Sequence, residues 1–259
     1  MTTTTPDKPV LALEGVSKSF GPVEALAGVD FEVHAGEVVA LVGDNGAGKS
    51  TLVKAIAGIH DFDGGRVLFE GNPVKISTPT DAVSLGIATV YQDLALCDNL
   101  DVVENLFLGR EEVSSPIPAL DETDMEQRSH ELLGNLAVTI VNVRSEVGTL
   151  SGGQRQQVAI ARSLLGDPKV VILDEPTAAL GVRQTALVLQ LVKRLREQGH
   201  GVVVVSHNLA DVFEVADRIY VLRLGKQAGD FKAADSSQDE VVAAITGAKL
   251  GGDGRGGES

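Results

Sequence analysis

The segment Gly43–Ser50 has the residue types and the spacing of a phosphate-binding loop. It reads GDNGAGKS, which fits G-x-x-x-x-G-K-[ST], between an apolar run and a helix-like pattern. Glycines let successive backbone N–H groups turn toward phosphate oxygens, and the start of a helix adds its positive dipole end. We expect Lys49 to reach the β- and γ-phosphates of a nucleotide and Ser50 to ligate Mg²⁺. The predicted binding residues are Gly43, Asp44, Asn45, Gly46, Ala47, Gly48, Lys49, Ser50 and Thr51.

A second group of reactive side chains is the acid pair Asp174 and Glu175. They follow the apolar run Val170–Leu173, and in nucleotide-hydrolysing sites a strand of this kind delivers a carboxylate to Mg²⁺. We expect Asp174 to hold the metal through water and Glu175 to polarise the attacking water as general base. Either acid taken alone also fits a helix cap or a surface ion pair, so the prediction depends on its pairing with the phosphate-binding loop.

The segment LSGGQ, residues 150–154, predicts the start of a helix with an accessible backbone. A serine followed three residues later by a glutamine has the spacing of a capping box. The two glycines between them leave the positive end of the helix dipole without covering side chains. Ordinary helix capping explains these residues when they are taken alone, and a second phosphate-binding terminus is the other interpretation. The candidate binding residues are Ser151, Gly152, Gly153 and Gln154.

Short β-branched runs without alternation predict strands that are buried on both faces of a parallel sheet. The runs are Val38–Val42, Ile87–Tyr91, Val170–Leu173 and Val202–Val205. In an open α/β sheet a ligand binds beyond the carboxyl ends of the strands. We therefore expect the residues that follow these runs to meet in one crevice: Gly43, Gln92, Asp174, Glu175, Ser206 and His207.

Helical patterns separate these strands and complete an α/β core with a mainly parallel sheet. They lie at 52–56, 158–165 and 185–198. Residues 10–35 and 62–77 hold strand-like runs and turns, which predict an antiparallel β layer against that core.

Residues 93–150 depart from this alternation. They contain no clear parallel strand, and helix-like patterns cover 102–108 and 121–136. This combination predicts an inserted helical subdomain.

Length, charge and cysteine content exclude several classes of protein. The 259 residues allow one large domain or two modest ones. Subtracting 22 Lys and Arg from 36 Asp and Glu gives a net charge of −14, which disfavours nucleic-acid binding because a polyanion would meet a repelling field. The one cysteine, Cys97, rules out an internal disulfide framework. No uncharged apolar run approaches the roughly 18 residues that a membrane-spanning helix needs.

An LSGGQ segment that follows a phosphate-binding loop and precedes an apolar strand ending in Asp-Glu resembles the ATP-binding cassette (ABC) ATPases. The resemblance covers about residues 10–247, with a helical subdomain at about 93–165 and expected disordered tails at 1–9 and 248–259. It implies a P-loop ATPase with ATP and Mg²⁺ as cofactors. It also implies a head-to-tail pair of subunits, in which residues 150–154 of one cassette complete the phosphate site of the other.

The resemblance implies roles for further residues. Gln92 matches the glutamine that contacts Mg²⁺ and water and reports to the membrane partner, and His207, at the end of the last core strand, matches the histidine near the γ-phosphate. Phe20 matches the aromatic residue that stacks on adenine, although tyrosine is commoner there. Ordinary core residues are the alternative interpretation of His207 and Phe20. Gly181 departs from the family, which usually has an aspartate there that contacts the other subunit.

Within the family, the chain looks like the ATPase subunits of monosaccharide importers of the ribose and xylose type. The residues that carry this likeness are Asn45, Tyr91–Leu96, Asn105–Arg110 and Ala178–Gly181. The likeness implies a peripheral ATPase at the cytoplasmic face of the cell membrane, which drives a permease that imports a simple sugar from an extracytoplasmic binding protein. One cassette in this chain implies a homodimer or a separate partner chain, and no nucleic-acid partner is expected.

Two alternatives stay open at this point. One is an importer ATPase for another small solute, such as an amino acid or an autoinducer. The other is a non-transport clamp that binds ATP without turnover, for which Gly181 is the only hint.

The hydrophobic stretch Leu94–Gly109 is the expected docking surface for the permease, through Leu94, Leu96, Leu106 and Phe107. Its alternative interpretation is ordinary core of the helical subdomain.

Overall fold

A six-stranded sheet forms the centre of the part of the chain that the computed structural model describes, residues 8–114 and 119–248. Most of the predicted tails, 1–7 and 249–259, lies outside these residues. In chain order the strands are β1 Leu11–Phe20, β2 Val23–Val33, β3 Val38–Val42, β4 Gly64–Phe69, β5 Asn72–Val74, β6 Ile87–Val90, β7 Val113–Ser114, β8 Ala119–Leu120, β9 Val170–Asp174, β10 Gly201–Val205, β11 Arg218–Arg223 and β12 Lys226–Lys232.

The helices alternate with the strands as the sequence predicts for the core. They are α1 Lys49–Ile56, α2 Pro79–Leu85, α3 Val102–Phe107, α4 Glu122–Asn135, α5 Gly152–Leu164, α6 Val182–Glu197, α7 Leu209–Val215 and α8 Gln238–Thr246, with 3₁₀ turns at Val147–Thr149 and Ala233–Asp235. The predicted helices at 52–56, 158–165 and 185–198 are confirmed by α1, α5 and α6, although α5 and α6 end one residue before the predicted ends. Helix α6 begins three residues before the predicted start of its amphipathic pattern. Val182 in its first turn is apolar but exposed, so this turn does not follow the pattern.

The central sheet has the order β12-β11-β3-β10-β9-β6, with parallel pairing from β11 to β6 and an antiparallel edge strand β12. Val205 lies opposite Leu41 in β3 and opposite Asp174 in β9, while Val90 lies opposite Leu173. The carboxyl ends of these strands therefore meet at one edge, as the sequence predicts. Strands β3 and β10 are buried throughout, which explains their unalternating Val-rich sequences.

Strand β10, which leads to His207, is not the last core strand, and that prediction was wrong. The later strand β11 pairs in parallel with the other side of β3, with Ile219 opposite Ala40. Its apolar stretch Ile219–Leu222 is buried. Arginines flank this stretch at both ends, so its sequence is also typical of a strand at the protein surface.

The predicted antiparallel β layer is confirmed. Among the described residues it is a sheet of four strands in the order β2-β1-β4-β5. Helix α1 lies between the two sheets, because Leu52 and Ile56 pack in one cluster with Leu13 from the antiparallel layer and Leu41 from the central sheet. The phosphate-binding loop that precedes α1 is thereby held between two sheets.

The segment 93–150 contains helices α3 and α4 and no strand of the central sheet in its described residues; β7 pairs only with β8. These helices pack with α5 in a second hydrophobic cluster that includes Leu106 and Phe107. Both side chains are fully buried, so the prediction that Phe107 is a docking contact was wrong, whereas Leu106 also lines a groove beside this segment. They pack in the cluster that joins α3, α4 and α5, and the sequence pattern does not distinguish an apolar docking face from a core face.

None of the helices within 8–114 and 119–248 is both long enough and apolar enough to span a bilayer.

One buried polar side chain, Asn105 of α3, determines the path of the chain between Cys97 and Asp101. Its amide oxygen accepts from the Cys97 N–H at 2.7 Å. Its amide nitrogen donates to the backbone oxygens of Cys97, Leu100 and Asp101 at 2.9, 3.1 and 2.9 Å. A buried side chain that satisfies several backbone groups costs much to remove, because each group left unpaired retains its desolvation penalty.

We expect Asn105→Leu to lower the free energy of unfolding by about 1–3 kcal/mol, since it leaves the Cys97 N–H unpaired in the interior and removes one of the two donors from each carbonyl, which keeps its backbone partner. Urea unfolding monitored by circular dichroism measures the change. Asn99→Leu, at an exposed asparagine in the same loop, is the matched control and should cost well under half as much. Equal effects of the two substitutions would contradict the role assigned to the Asn105 hydrogen bonds.

Candidate functional site

The phosphate-binding loop connects β3 to α1 and holds its lysine inward. The Lys49 Nζ donates to the backbone oxygens of Gly43 at 2.7 Å and Asp44 at 3.1 Å. Gly48 has φ of 108°, and a Cβ there would lie 2.7 Å from the Ala25 oxygen, so only glycine fits where the loop passes the antiparallel layer. Partial burial lowers the pKa of Lys49, while nearby acids, Glu175 first, oppose this shift. The loop thus holds a cation and turned backbone amides, which are the groups that bind phosphate.

A cavity of about 380 Å³ lies at this loop, which is within the usual size range of small-molecule sites. Its lining contains residues 45–51 of the predicted set. It also contains residues that the sequence analysis missed, from the β1–β2 hairpin and from the turn between β11 and β12. The full lining is Val23, Glu24, Ala25, Asn45, Gly46, Ala47, Gly48, Lys49, Ser50, Thr51, Leu224 and Gly225.

Gly225 connects the missed turn to the loop through its backbone. Its N–H donates to the Ala47 oxygen at 3.0 Å, and its oxygen accepts from the Ala27 N–H at 2.8 Å. The adjacent Leu224 is largely exposed and has a left-handed backbone. The signal in the sequence is the Leu-Gly pair after the apolar run Ile219–Leu222, which becomes recognisable as a turn only once β11 is recognised as a strand.

Glu175 and His207 meet at the neighbouring strand ends. The His207 Nδ1 lies 2.8 Å from a Glu175 carboxylate oxygen, although the two residues belong to different strand–helix connections. Glu175 has a positive φ of 51°, and its N–H donates to the Val205 oxygen at 2.9 Å. A left-handed backbone in a non-glycine residue is a strained arrangement that concentrates at functional sites. The pairing gives an acid and an imidazole a fixed mutual geometry.

Asp174, at the end of β9, is a partly buried carboxyl group whose ionisation the folded chain disfavours. Burial raises its pKa first of all and the Glu175 charge adds to this, while Lys49 and Lys54 oppose the shift. Within the described residues no cluster of three or more His, Cys, Asp or Glu side chains is arranged to hold a metal. Mg²⁺ usually takes one or two protein oxygens together with water and substrate phosphates, so Asp174 and the Ser50 hydroxyl are a donor set that fits it.

Gln92 follows β6 at the same edge of the sheet. Val90, two residues earlier, pairs with Leu173, so the register brings Gln92 level with the end of β9. Its side chain is exposed, which leaves it accessible beside the acid pair.

The LSGGQ segment forms the N-terminus of α5 as predicted. The Ser151 Oγ accepts from the Gln154 N–H at 3.4 Å, and the Gln154 Oε1 accepts from the Ser151 N–H at 3.1 Å. Gly153 packs against α6, where a Cβ would lie 2.8 Å from the Gln184 Cβ. No residue of 150–154 lines the cavity at the phosphate-binding loop in the part of the chain that the structure describes. Within one chain, the two candidate phosphate-binding elements are therefore separate.

Gly181 is the N-cap residue of α6, and its N–H donates to the Gln184 Oε1 at 3.2 Å. A Cβ at this position would lie 4.0 Å from its nearest neighbour, the Gln184 Oε1. The local structure would therefore accept an aspartate, and no contact among residues 8–114 and 119–248 explains why glycine stands here.

Comparison with known proteins gives consistent results. The family described as ABC transporter matches residues 26–178. The chain is 47% identical to the xylose/arabinose import ATP-binding protein of Sulfolobus acidocaldarius, over 93% of this chain and 96% of that protein. It is 45% identical to the fructose import ATP-binding protein of Rhizobium meliloti, over 93% of this chain and 95% of that one. A ribose import ATP-binding protein of Rubrobacter xylanophilus is 42% identical over 94% of this chain, which spans 48% of that protein.

Solved structures agree with these relatives. An ATP-binding cassette of an ABC transporter in its ADP conformation matches with a TM-score of 0.79 and 28% identity, over 92% of this chain and 95% of that one. A dimeric cassette bound to ADP and phosphate in a post-hydrolysis state matches with a TM-score of 0.70 and 29% identity, over 86% and 98% of the two chains.

Asp174→Asn removes a carboxylate whose ionisation the folded chain disfavours. We expect it to raise the free energy of unfolding by about 1 kcal/mol in EDTA without nucleotide. Because folding raises the pKa of Asp174, ionising this carboxyl group costs more free energy in the folded chain than in the unfolded chain. The resulting loss of stability is absent below the ordinary pKa of 3.8 and reaches its full size above the raised pKa. The advantage of the variant should therefore grow as the pH rises above the ordinary pKa of 3.8 and become constant above the raised pKa.

Urea unfolding at several pH values measures this advantage. Asp61→Asn, at an exposed carboxylate, is the matched control and should change little. A variant that is less stable than the natural chain at pH 7 would contradict the electrostatic account of Asp174.

Proposed function

From the premise that this chain belongs to the ABC transporter family, we propose that it is the ATP-hydrolysing subunit of an importer and drives uptake of a simple sugar through a separate membrane permease. The observation that carries the ATPase activity is the convergence of the phosphate-binding loop, the acid pair and His207 at one edge of the sheet. The sugar follows from relatives named as xylose/arabinose and fructose import proteins, whose whole length the chain nearly spans.

The side chains at this edge of the sheet have different roles in ATP hydrolysis. Lys49 and the loop amides bind the β- and γ-phosphates of ATP. Ser50, Asp174 and Gln92 would hold Mg²⁺, Asp174 through water, and the bound ion would neutralise charge on the phosphate oxygens. Glu175 accepts a proton from the attacking water as general base, and His207, 2.8 Å away, orients its carboxylate. The remaining roles belong to Phe20, which stacks on adenine, and to the cradle residues Gly43, Asp44, Asn45, Gly46, Ala47, Gly48 and Thr51.

A second cassette completes each phosphate site in this proposal. Ser151 is exposed at the N-terminus of α5, and the half-buried Gly152 that follows adds no side chain over the first backbone amides of the helix, while Gly153 is buried against α6. A phosphate at this terminus gains the helix dipole and those amides. Since these residues lie apart from the phosphate-binding loop of their own chain, they serve the partner, and two copies of this chain in head-to-tail arrangement satisfy both sites.

The permease docks in a groove beside the Gln92 edge. Its exposed apolar residues include Val83 and Leu108, the latter 46% exposed. Its floor includes the half-buried Leu94, so part of the docking stretch predicted from the sequence belongs here. Asp93 also lines it, so a helix of the permease in this groove contacts the residue directly after Gln92.

With the permease docked there, the chain is a peripheral subunit at the cytoplasmic face of the cell membrane. The extracytoplasmic binding protein acts on it only through the permease, and nucleic acid has no part in the function. We propose residues 10–247 as the cassette and about 93–165 as its helical subdomain. The relatives named as import ATP-binding proteins favour this function over a clamp.

Affinity purification of the chain from native membranes tests the whole proposal. A co-purifying permease, together with a binding protein that binds a monosaccharide, is the expected result. A binding protein specific for an amino acid or another solute would contradict the sugar assignment, and a chain that binds ATP without releasing phosphate would contradict the ATPase.

Glu175→Gln should lower ATP hydrolysis by about 10²- to 10⁴-fold, because it keeps the shape of the side chain and removes the general base. ATP should then persist at the shared site and favour the dimer by mass action. Phosphate release and size-exclusion chromatography with and without MgATP measure both effects.

Adding Ser151→Arg to this variant places bulk and charge at the shared site and should return the protein to monomers. Glu197→Gln, on α6, is the control for loss of a carboxylate. Near-normal hydrolysis by Glu175→Gln, or a monomer at saturating ATP, would refute the assigned roles.

Leu108→Glu should abolish co-purification with the permease and transport, because it places a charge on the apolar wall of the groove. ATP binding by the isolated subunit should stay unchanged. Val141→Glu, at a side chain that is 97% exposed and outside the groove, is the matched control and should leave both intact. Retained co-purification of Leu108→Glu would show that the permease docks elsewhere.

A further inference from the structure

The ring of Phe20 has aromatic and cationic neighbours that the sequence analysis did not identify. Phe20 ends β1 at the tip of the β1–β2 hairpin and is 44% exposed. The His60 ring lies at a centroid distance of 5.2 Å and an angle of 74°, an edge-to-face contact. The Lys18 Nζ lies 5.5 Å from the Phe20 centroid. A partly exposed ring at a hairpin tip therefore packs against two side chains rather than standing free in solvent.

Asp63 connects the loop that carries His60 to the end of β1 through hydrogen bonds. Its carboxylate accepts from the Lys18 Nζ at 2.9 Å and from the Ser19 N–H at 2.7 Å, and its own N–H donates to the Ser17 oxygen at 2.8 Å. The hydrogen bond from Lys18, followed by that from Ser19, lowers the pKa of Asp63, so the carboxylate stays ionised at neutral pH. The loop and the strand that bears Phe20 are thus joined by side-chain and backbone contacts.

The position of His60 also depends on how α1 ends. Gly58 has φ of 75°, and a Cβ there would lie 2.2 Å from the Thr78 oxygen, so the chain turns sharply after the helix. The Ile59 N–H donates to the Lys54 oxygen at 2.8 Å and closes this turn. The helix that starts at the phosphate-binding lysine therefore ends by directing His60 toward the predicted base-stacking residue.

We propose that His60 is a positioning residue of the nucleotide site, which holds the Phe20 ring in the orientation that stacks on adenine. This inference rests on the proposed function, since it needs ATP as the ligand and Phe20 as the stacking group. An aromatic pair in edge-to-face contact restricts ring rotation. A ring that is already oriented loses less conformational freedom when the base binds. His60 is not among the residues that line the cavity at the phosphate-binding loop, so we expect it to affect nucleotide affinity and not the chemical step.

The experiment measures the ATP dissociation constant by calorimetry and kcat at saturating ATP for the full chain. His60→Ala should weaken ATP binding by about 2- to 10-fold, the range of one aromatic pair contact, with kcat unchanged. His60→Phe should restore the affinity because it keeps an aromatic edge. Phe20→Ala should weaken binding by about 5- to 150-fold, since it removes the stacking itself.

The double variant Phe20→Ala with His60→Ala separates positioning from general support. If His60 acts through the ring, its removal should cost nothing further once Phe20 is gone. His130→Ala, at an exposed histidine on α4, is the control and should change neither quantity.

Several results would overturn the inference. They are an unchanged affinity in His60→Ala, a fall in kcat together with affinity, the lack of rescue by His60→Phe, and a full additional loss in the double variant. These outcomes leave the proposed function standing as long as the natural chain binds and hydrolyses ATP. Failure of the natural chain to bind ATP would instead refute the proposed function itself.

Discussion

The parallel pairing of β10 between β3 and β9 is the constraint on which the site depends. Val205 lies level with Leu41 on one side and with Asp174 on the other. Parallel hydrogen bonding in this register brings three strands to an end at the same edge, so the phosphate-binding loop, the acid pair and His207 converge although they are far apart in sequence. A slip of one residue in β10 would move the end of this strand away from the ends of β3 and β9, and it would separate His207 from Glu175.

The same edge carries features that work against folding. Burial and the neighbouring acid raise the pKa of Asp174, burial lowers the pKa of Lys49, and Glu175 holds a left-handed backbone. Each of these features is a buried charge or a strained backbone that costs folding free energy when no ligand is bound. A bound cation and phosphates would neutralise these charges, which is why such a cluster is retained in a site that binds them.

Helix α5 connects two surfaces with different partners in the proposed function. Its N-terminus at Ser151 faces outward, and near its other end Arg162 donates to the backbone oxygens of Leu94 and Ala95 at 2.8 and 2.7 Å. Those carbonyls belong to the segment that follows Gln92 and borders the groove. A straight helix of 13 residues spans about 20 Å, so one rigid element joins the terminus at Ser151 to the wall of the groove.

The sequence alone determined the features whose signal is local. The phosphate-binding loop, the strand before Asp174 and the capping box at Ser151 were predicted because each depends on residues within a few positions of one another, and the Val-rich runs indicated a parallel sheet. Only the tertiary structure decided that β11 joins β3, that Leu106 and Phe107 are core, and that His60 lies against Phe20. These outcomes depend on contacts between distant segments: arginines at the ends of β11 concealed its burial, and the apolar face of α3 could be assigned to core or surface only once α5 was in place. Functional motifs made of consecutive residues could therefore be predicted from the sequence. Which residues each apolar or aromatic side chain packs against depended on the tertiary structure.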